Sequence, residues 1–163
     1  MVYILSIQKG APFLSETSDL IKLYSTRILA LAADIPHLGR LEAPQASVRK
    51  RSPLCGSTVT VDLDMADGRV ARFGQDVKAC ALGQAAAAVL GGAVIGRSAE
   101  ELQDAAQALE AMLKKDGPVP PAPFDGFEVL IPARDFRNRH MSILLAVQAA
   151  AEAARSAEET ATS

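Results

Sequence analysis

The stretch STVTVDLDMADGRVARF, residues 57–73, decides the fold. Val59, Val61 and Leu63 alternate with Thr58, Thr60 and Asp62, the period-2 pattern of a strand that buries one face. Ala66-Asp67-Gly68 supplies turn chemistry, Asp-Gly being a strong hairpin signal, and Arg69–Phe73 reads as the returning strand. Just upstream, Ala46–Arg51 is a weaker strand expected to pair with the first. The result is a three-stranded antiparallel meander with one solvated face.

Outward from the sheet the periodicity turns helical. Leu20, Tyr24, Ile28 and Leu31 recur at three- and four-residue steps, which predicts an N-terminal helix over about Thr17–Ala33. Ser15, Thr17 and Ser18 are its candidate caps, and Ile35-Pro36 stops it, because proline disfavours helical geometry in the residue before it. Beyond Gly74 the chain becomes small and alanine-rich. This predicts a helix over Ala79–Val89 that packs closely on the sheet and ends in Gly91-Gly92 and Gly96. Ser98-Ala-Glu-Glu101 resembles a capping box, followed by an apolar stripe of Leu102, Ala105, Leu109, Met112 and Leu113. Pro118, Pro120, Pro121 and Pro123 impose an extended connection. A short segment, Val129–Ala133, then leads into a last helix over about Arg134–Ala154. Strands grouped first and helices after them indicate an α+β fold: N-terminal helix, three-stranded antiparallel sheet, packed C-terminal helices. Residues 1–15 read as a flexible extension, 16–155 as one domain and 156–163 as a fraying tail.

The 163 residues suffice for one domain with a real core. Seventeen basic residues against nineteen acidic ones leave a net charge of −2, which makes no electrostatic case for nucleic acid or an anionic membrane as partner. No apolar run approaches the roughly 20 residues that span a bilayer. Met1–Ile7 is apolar, but Lys9, Gly10 and Pro12 interrupt it before a signal-peptide core could form. Two cysteines are too few for a secreted disulfide scaffold, so a reducing cytoplasm is the expected location.

Three positions stand out by chemical type: Cys55, Cys80 and His140. Cys55 lies in the turn Ser52-Pro-Leu-Cys-Gly56 between two strands. Cys80 stands where a loop meets the alanine-rich helix, and helix amides there favour a thiolate. His140 falls early in the last helix. Their spacing matches no compact zinc knuckle. The plain alternative is that both thiols are small buried hydrophobes and His140 a hydrogen-bonded surface residue. Ser142 has no base and acid around it in sequence, so a hydrolase reading has little support. The run Arg49-Lys50-Arg51 reads as a solvated strand edge that could recruit an acidic protein.

Taken together, these segments resemble the U-type scaffold proteins of iron–sulfur cluster assembly: IscU, SufU and the N-terminal domain of NifU. Ile35-Pro36-His37-Leu38-Gly39 is similar to that family's first turn, and Pro53-Leu54-Cys55-Gly56-Ser57 to its Pro-x-Cys-Gly-Asp loop. Phe73-Gly-Gln-Asp-Val-Lys-Ala-Cys80 with Gln84–Ala88 resembles the second cysteine loop. Arg139-His140-Met141-Ser142-Ile143-Leu144 resembles the third segment, where the family carries a further cysteine. The long stretch between Cys80 and Met141 looks most like the SufU branch.

The resemblance implies a scaffold or carrier without turnover of its own. It would bind iron, zinc or a labile iron–sulfur cluster through Cys55, Cys80 and His140, with Asp76 and Asp135 as further oxygen donors. Its implied partners are a cysteine desulfurase and iron–sulfur client proteins, and a homodimer could share one cluster. Met141 stands at the third cysteine and Ser57 at the loop aspartate, so the ligand set is incomplete. The resemblance therefore also admits a metal-free regulatory module for a desulfurase, or a zinc-dependent sulfur acceptor.

Overall fold

The structure, a computed structural model, describes residues 24–162. The extension over residues 1–15, the start of the N-terminal helix and its expected caps lie outside that range. Within it, α1 spans Thr26–Ala33, followed by β1 (Ala46–Arg51), β2 (Thr58–Ala66) and β3 (Arg69–Lys78). Then come α2 (Ala81–Ala93), α3 (Ala99–Lys114), a 3-10 stretch over Asp125–Asp135 and the long α4 (Arg137–Thr162). This is the expected α+β order. None of the described helices is long and apolar enough to cross a membrane.

The strands form one antiparallel sheet in the order β1-β2-β3. Asp67 and Gly68 both take positive φ, at 53° and 74°, as a two-residue turn matched to strand twist requires. Directly paired residues share a face of the sheet. Val59, Val61 and Leu63 are fully buried beneath the helices, with α4 lying across β1 and β2. Lys50, on that same face of β1, reaches Glu152 of α4 at 2.9 Å.

Several boundaries differ from expectation, each for a local reason. Helix α1 starts at Thr26 instead of running through Tyr24 and Ser25. Ser25 is an N-cap with extended ψ of 163°, and its hydroxyl accepts from the Ile28 amide. Strand β3 continues to Lys78, because Gly74, Gln75, Asp76, Val77 and Lys78 all keep their pairing with β2. Helix α2 runs through Gly91-Gly92: a Cβ on Gly91 would stand 2.9 Å from Gln75 Nε2, so glycine permits close packing there. The short segment Val129–Ala133 lies within the 3-10 stretch, which includes Pro132 and runs to Asp135, so α4 starts at Arg137 and not at Arg134. Helix α4 passes Ser156 and buries Ala157.

The second face of the sheet is only partly solvated. Asp62 is fully buried on it, because the loop after α1 folds over that end. Arg40 Nε donates to Asp62 Oδ2 at 2.7 Å, the Leu41 amide donates to the same oxygen at 3.0 Å, and the Ser47 hydroxyl donates to Oδ1 at 2.7 Å. Gly74 leaves room for the loop, since a Cβ would meet the Gly39 carbonyl at 2.6 Å. The loop covers the end of the sheet far from the β1–β2 turn, while Arg49, Arg51 and Lys78 nearer that turn stay exposed.

Candidate thiol site

Three chain segments meet at the end of the sheet nearest the β1–β2 turn. The β1–β2 turn is closed by two backbone bonds, Ser52 N–H to Ser57 C=O at 2.8 Å and Gly56 N–H to Ser52 C=O at 2.9 Å. Gly56 takes φ of 72°, a conformation that glycine adopts at no steric cost. This turn buries Ser52 and Ser57 and leaves Cys55 exposed. Cys80 is the N-cap residue of α2 and is half-buried. The third segment is the first turns of α4, from which Ser142 points inward and is 1% exposed.

The segments are joined by one run of hydrogen bonds. Cys55 Sγ lies 3.3 Å from Ser52 Oγ, to which the thiol donates, and 3.2 Å from Ser57 Oγ. Ser142 Oγ donates to Ser57 Oγ at 2.9 Å and lies 3.5 Å from Cys80 Sγ. Since the Ser142 proton is committed to Ser57, the Cys80 thiol is the donor to Ser142. The Ser57 proton is left free to point at Cys55. Both cysteines thus belong to one network whose links are serine hydroxyls.

Electrostatics follows from this geometry. Desolvation pushes the Cys55 thiol pKa up, but interaction of the sulfur with the Ser52 hydroxyl, the Ser57 hydroxyl and backbone and the Ser142 hydroxyl outweighs it. The value falls from 9.0 to about 7. Hydroxyl donors favour the thiolate because it accepts more strongly than the thiol. At neutral pH about half of Cys55 is therefore nucleophilic thiolate on an exposed turn.

The other expected ligands do not join it. His140 is buried, and its Nε2 faces the carbonyls of Ala133 at 2.8 Å and Arg134 at 3.1 Å. Two acceptors on one ring nitrogen make Nε2 the protonated donor, which ties the ring to the end of the 3-10 stretch. Asp135 lies beside that ring on the surface, and Asp76 sits on the second face of the sheet. Met141 projects outward, 44% exposed. Among the described residues no group of three or more His, Cys, Asp or Glu side chains could hold a metal ion.

A tetrahedral zinc site takes four thiolate, imidazole or carboxylate ligands, and iron–sulfur clusters are held by four cysteines or close substitutes. Two thiols bridged by serine hydroxyls do not fit either demand within one chain. Sequence reasoning missed Ser52 and the bridging role of Ser142. The signal available was position: Ser142, Ala146 and Ala149 recur on one face of α4, all buried.

Comparison with known proteins agrees with this architecture. No family model matches the chain, and no curated protein matches it. Among solved structures, a NifU-like nitrogen-fixing protein (N-terminal) from Brucella abortus is 44% identical. That match covers 86% of this chain and 98% of the other, with a TM-score of 0.84. An iron–sulfur cluster assembly scaffold protein for the SUF system from Fervidobacterium islandicum AW-1 shares the fold at 18% identity and a TM-score of 0.72, over 82% of this chain and 98% of that one. By sequence identity over nearly its whole described length, the chain belongs to the NifU-like family and has the fold of its N-terminal domain.

Proposed function

We propose that this protein serves iron–sulfur cluster assembly as a degenerate scaffold homologue: a module that docks a cysteine desulfurase without holding a metal or cluster of its own. The observation that carries this reading is the donor set at the tip. Cys55 and Cys80 are linked through Ser57 and Ser142, Met141 faces outward, and His140 is bound to backbone carbonyls. Hydroxyls are weak ligands for iron beside thiolate, so this set favours a free, hydrogen-bonded thiolate over a bound metal. The module acts by occupying the desulfurase surface that a complete scaffold would use.

The test is anaerobic incubation of the full chain with ferrous iron and sulfide, together with elemental analysis of protein purified without oxygen. The expected result is no visible cluster absorption and substoichiometric iron and zinc, while the desulfurase is still bound. Cys55→Ala and Cys80→Ala should each retain that binding within about twofold, since docking in this reading does not run through a metal held by the thiols. A stable cluster in the wild type would instead make the chain a scaffold that shares its cluster between two protomers.

A further inference from the structure

The end of the sheet's second face nearest the β1–β2 turn carries cations that form no ion pair among the described residues. Arg51, Thr58 and Lys78 form one cross-strand row, and Arg49, Thr60 and Asp76 form the next. Arg49, Arg51 and Lys78 are all exposed, and among the described residues none of them is in an ion pair. Among the described residues Arg27, Lys115, Arg137, Arg139 and Arg155 are also in no ion pair, but they are not gathered in neighbouring cross-strand rows. Arg40, Lys50, Arg69, Arg72, Arg97 and Lys114 each face a carboxylate within 3.5 Å. Against three cations these two rows hold one carboxylate, Asp76, so on a chain with net charge −2 they carry a local excess of positive charge.

The place of this field is as informative as its sign. Arg51 directly precedes the turn that carries Cys55, and Lys78 stands two residues before Cys80. The loop that buries Asp62 pairs with β3 at Gln75, next to the second of these rows, and leaves Arg49, Arg51 and Lys78 exposed. Two exposed apolar side chains adjoin the network in sequence: Leu54, 71% exposed, precedes Cys55, and Met141, 44% exposed, precedes Ser142.

We infer that the Arg49–Arg51–Lys78 face is a docking surface for an acidic segment of a protein partner, which it holds against the Cys55 turn. This rests on the docking role proposed above and names the chemistry of the partner's contact. Charge of this kind raises the association rate and fixes register, and it fades as salt screens it.

A fluorescein-labelled peptide of glutamates is the first probe, followed by anisotropy at low and at physiological salt. The wild type should bind it, with affinity falling as salt rises. The triple variant Arg49→Glu, Arg51→Glu, Lys78→Glu should lose affinity by about tenfold or more. A control reversing Lys114, Lys115 and Arg155 to Glu, on the helical side, should lose less than about twofold. All six positions are on the surface, and circular dichroism checks that both variants keep the fold. No binding by the wild type, or equal losses in the two variants, overturns the inference. A single-stranded oligonucleotide binding more tightly than the peptide overturns the assignment to a protein. The cysteine desulfurase is the second probe. If it binds wild type and triple variant alike, the docking surface is wrong while the proposed function stands. If the peptide arm holds but the desulfurase does not bind the wild type, the surface stands and the proposed function falls.

Discussion

Cys55 owes its acidity to three serines that converge on a sulfur still open to solvent. The thiolate form should therefore titrate near neutrality, and iodoacetamide alkylation of Cys55 should rise through about pH 7. Ser57→Ala removes both the direct donor and the link to Ser142, so its alkylation rate at pH 7 should fall several-fold and its midpoint move up. Ser142→Ala should shift the midpoint less, because its main bond is to Ser57. An unchanged midpoint in Ser57→Ala would show that the hydroxyls do not set the acidity. The linkage has a definite sign. The folded value lies below the unfolded 9.0, so these bonds contribute to stability above that pH, and the contribution is lost as pH falls through about 7. At this scale the cysteines were legible in the sequence by type alone. The serines were not, because a hydroxyl reads as chemistry only when a second group stands beside it.

Elements hold the site through close approach. Helices α2 and α4 meet at Gly83, where a Cβ would stand 2.7 Å from Ser142 Oγ and 2.8 Å from Ala79 Cβ. Gly83→Ala should push α4 away or turn Ser142 from Cys80, at a cost of roughly 1–3 kcal/mol read from denaturant midpoints. The same variant should raise the Cys55 midpoint, which a purely structural defect elsewhere would not do. Helix α3 offers a contrasting case remote from the thiols. Ser98 caps the Glu101 amide at 3.1 Å and Glu101 returns a bond to the Ser98 amide. Ser98→Ala should cost about 1 kcal/mol and leave thiol reactivity unchanged. The capping box and the Asp-Gly turn were readable in advance because their chemistry is local. The continuation of β3 beyond Phe73 was not, since Gly74 and Gln75 are poor strand signals held by pairing with Asp62 and Val61.

For the whole molecule, the decisive contact is the buried Asp62 under the loop of Arg40 and Leu41. Burial alone pushes its pKa up, but the bonds from Arg40, Ser47 and the Leu41 amide hold it below the usual carboxylate range. Stability from this latch is full above the unfolded carboxylate value and is lost as pH falls through the lower folded one. Asp62→Ala removes the acceptor that ties Arg40, the Leu41 amide and Ser47 to the sheet and should destabilise the fold by about 1–3 kcal/mol, with faster hydrogen exchange over residues 36–47. Unchanged exchange there would mean that the loop is held by other contacts.

The sequence by itself determined the layers of this protein: period-2 and period-3.6 patterns, one turn dipeptide and one capping box are local, and they specify which faces are buried. It also marked Cys55 and Cys80 as the thiols worth following. Only the tertiary structure decided what those thiols meet. The turn of Cys55 and Ser57, Cys80 and the start of α4 are far apart in the chain, and whether Ser142 or His140 turns toward the thiols depends on how α4 is rotated against α2 and the sheet. That rotation is set by the packing of small residues such as Gly83. It places a hydroxyl between the cysteines and leaves the imidazole bonded to backbone on the other side.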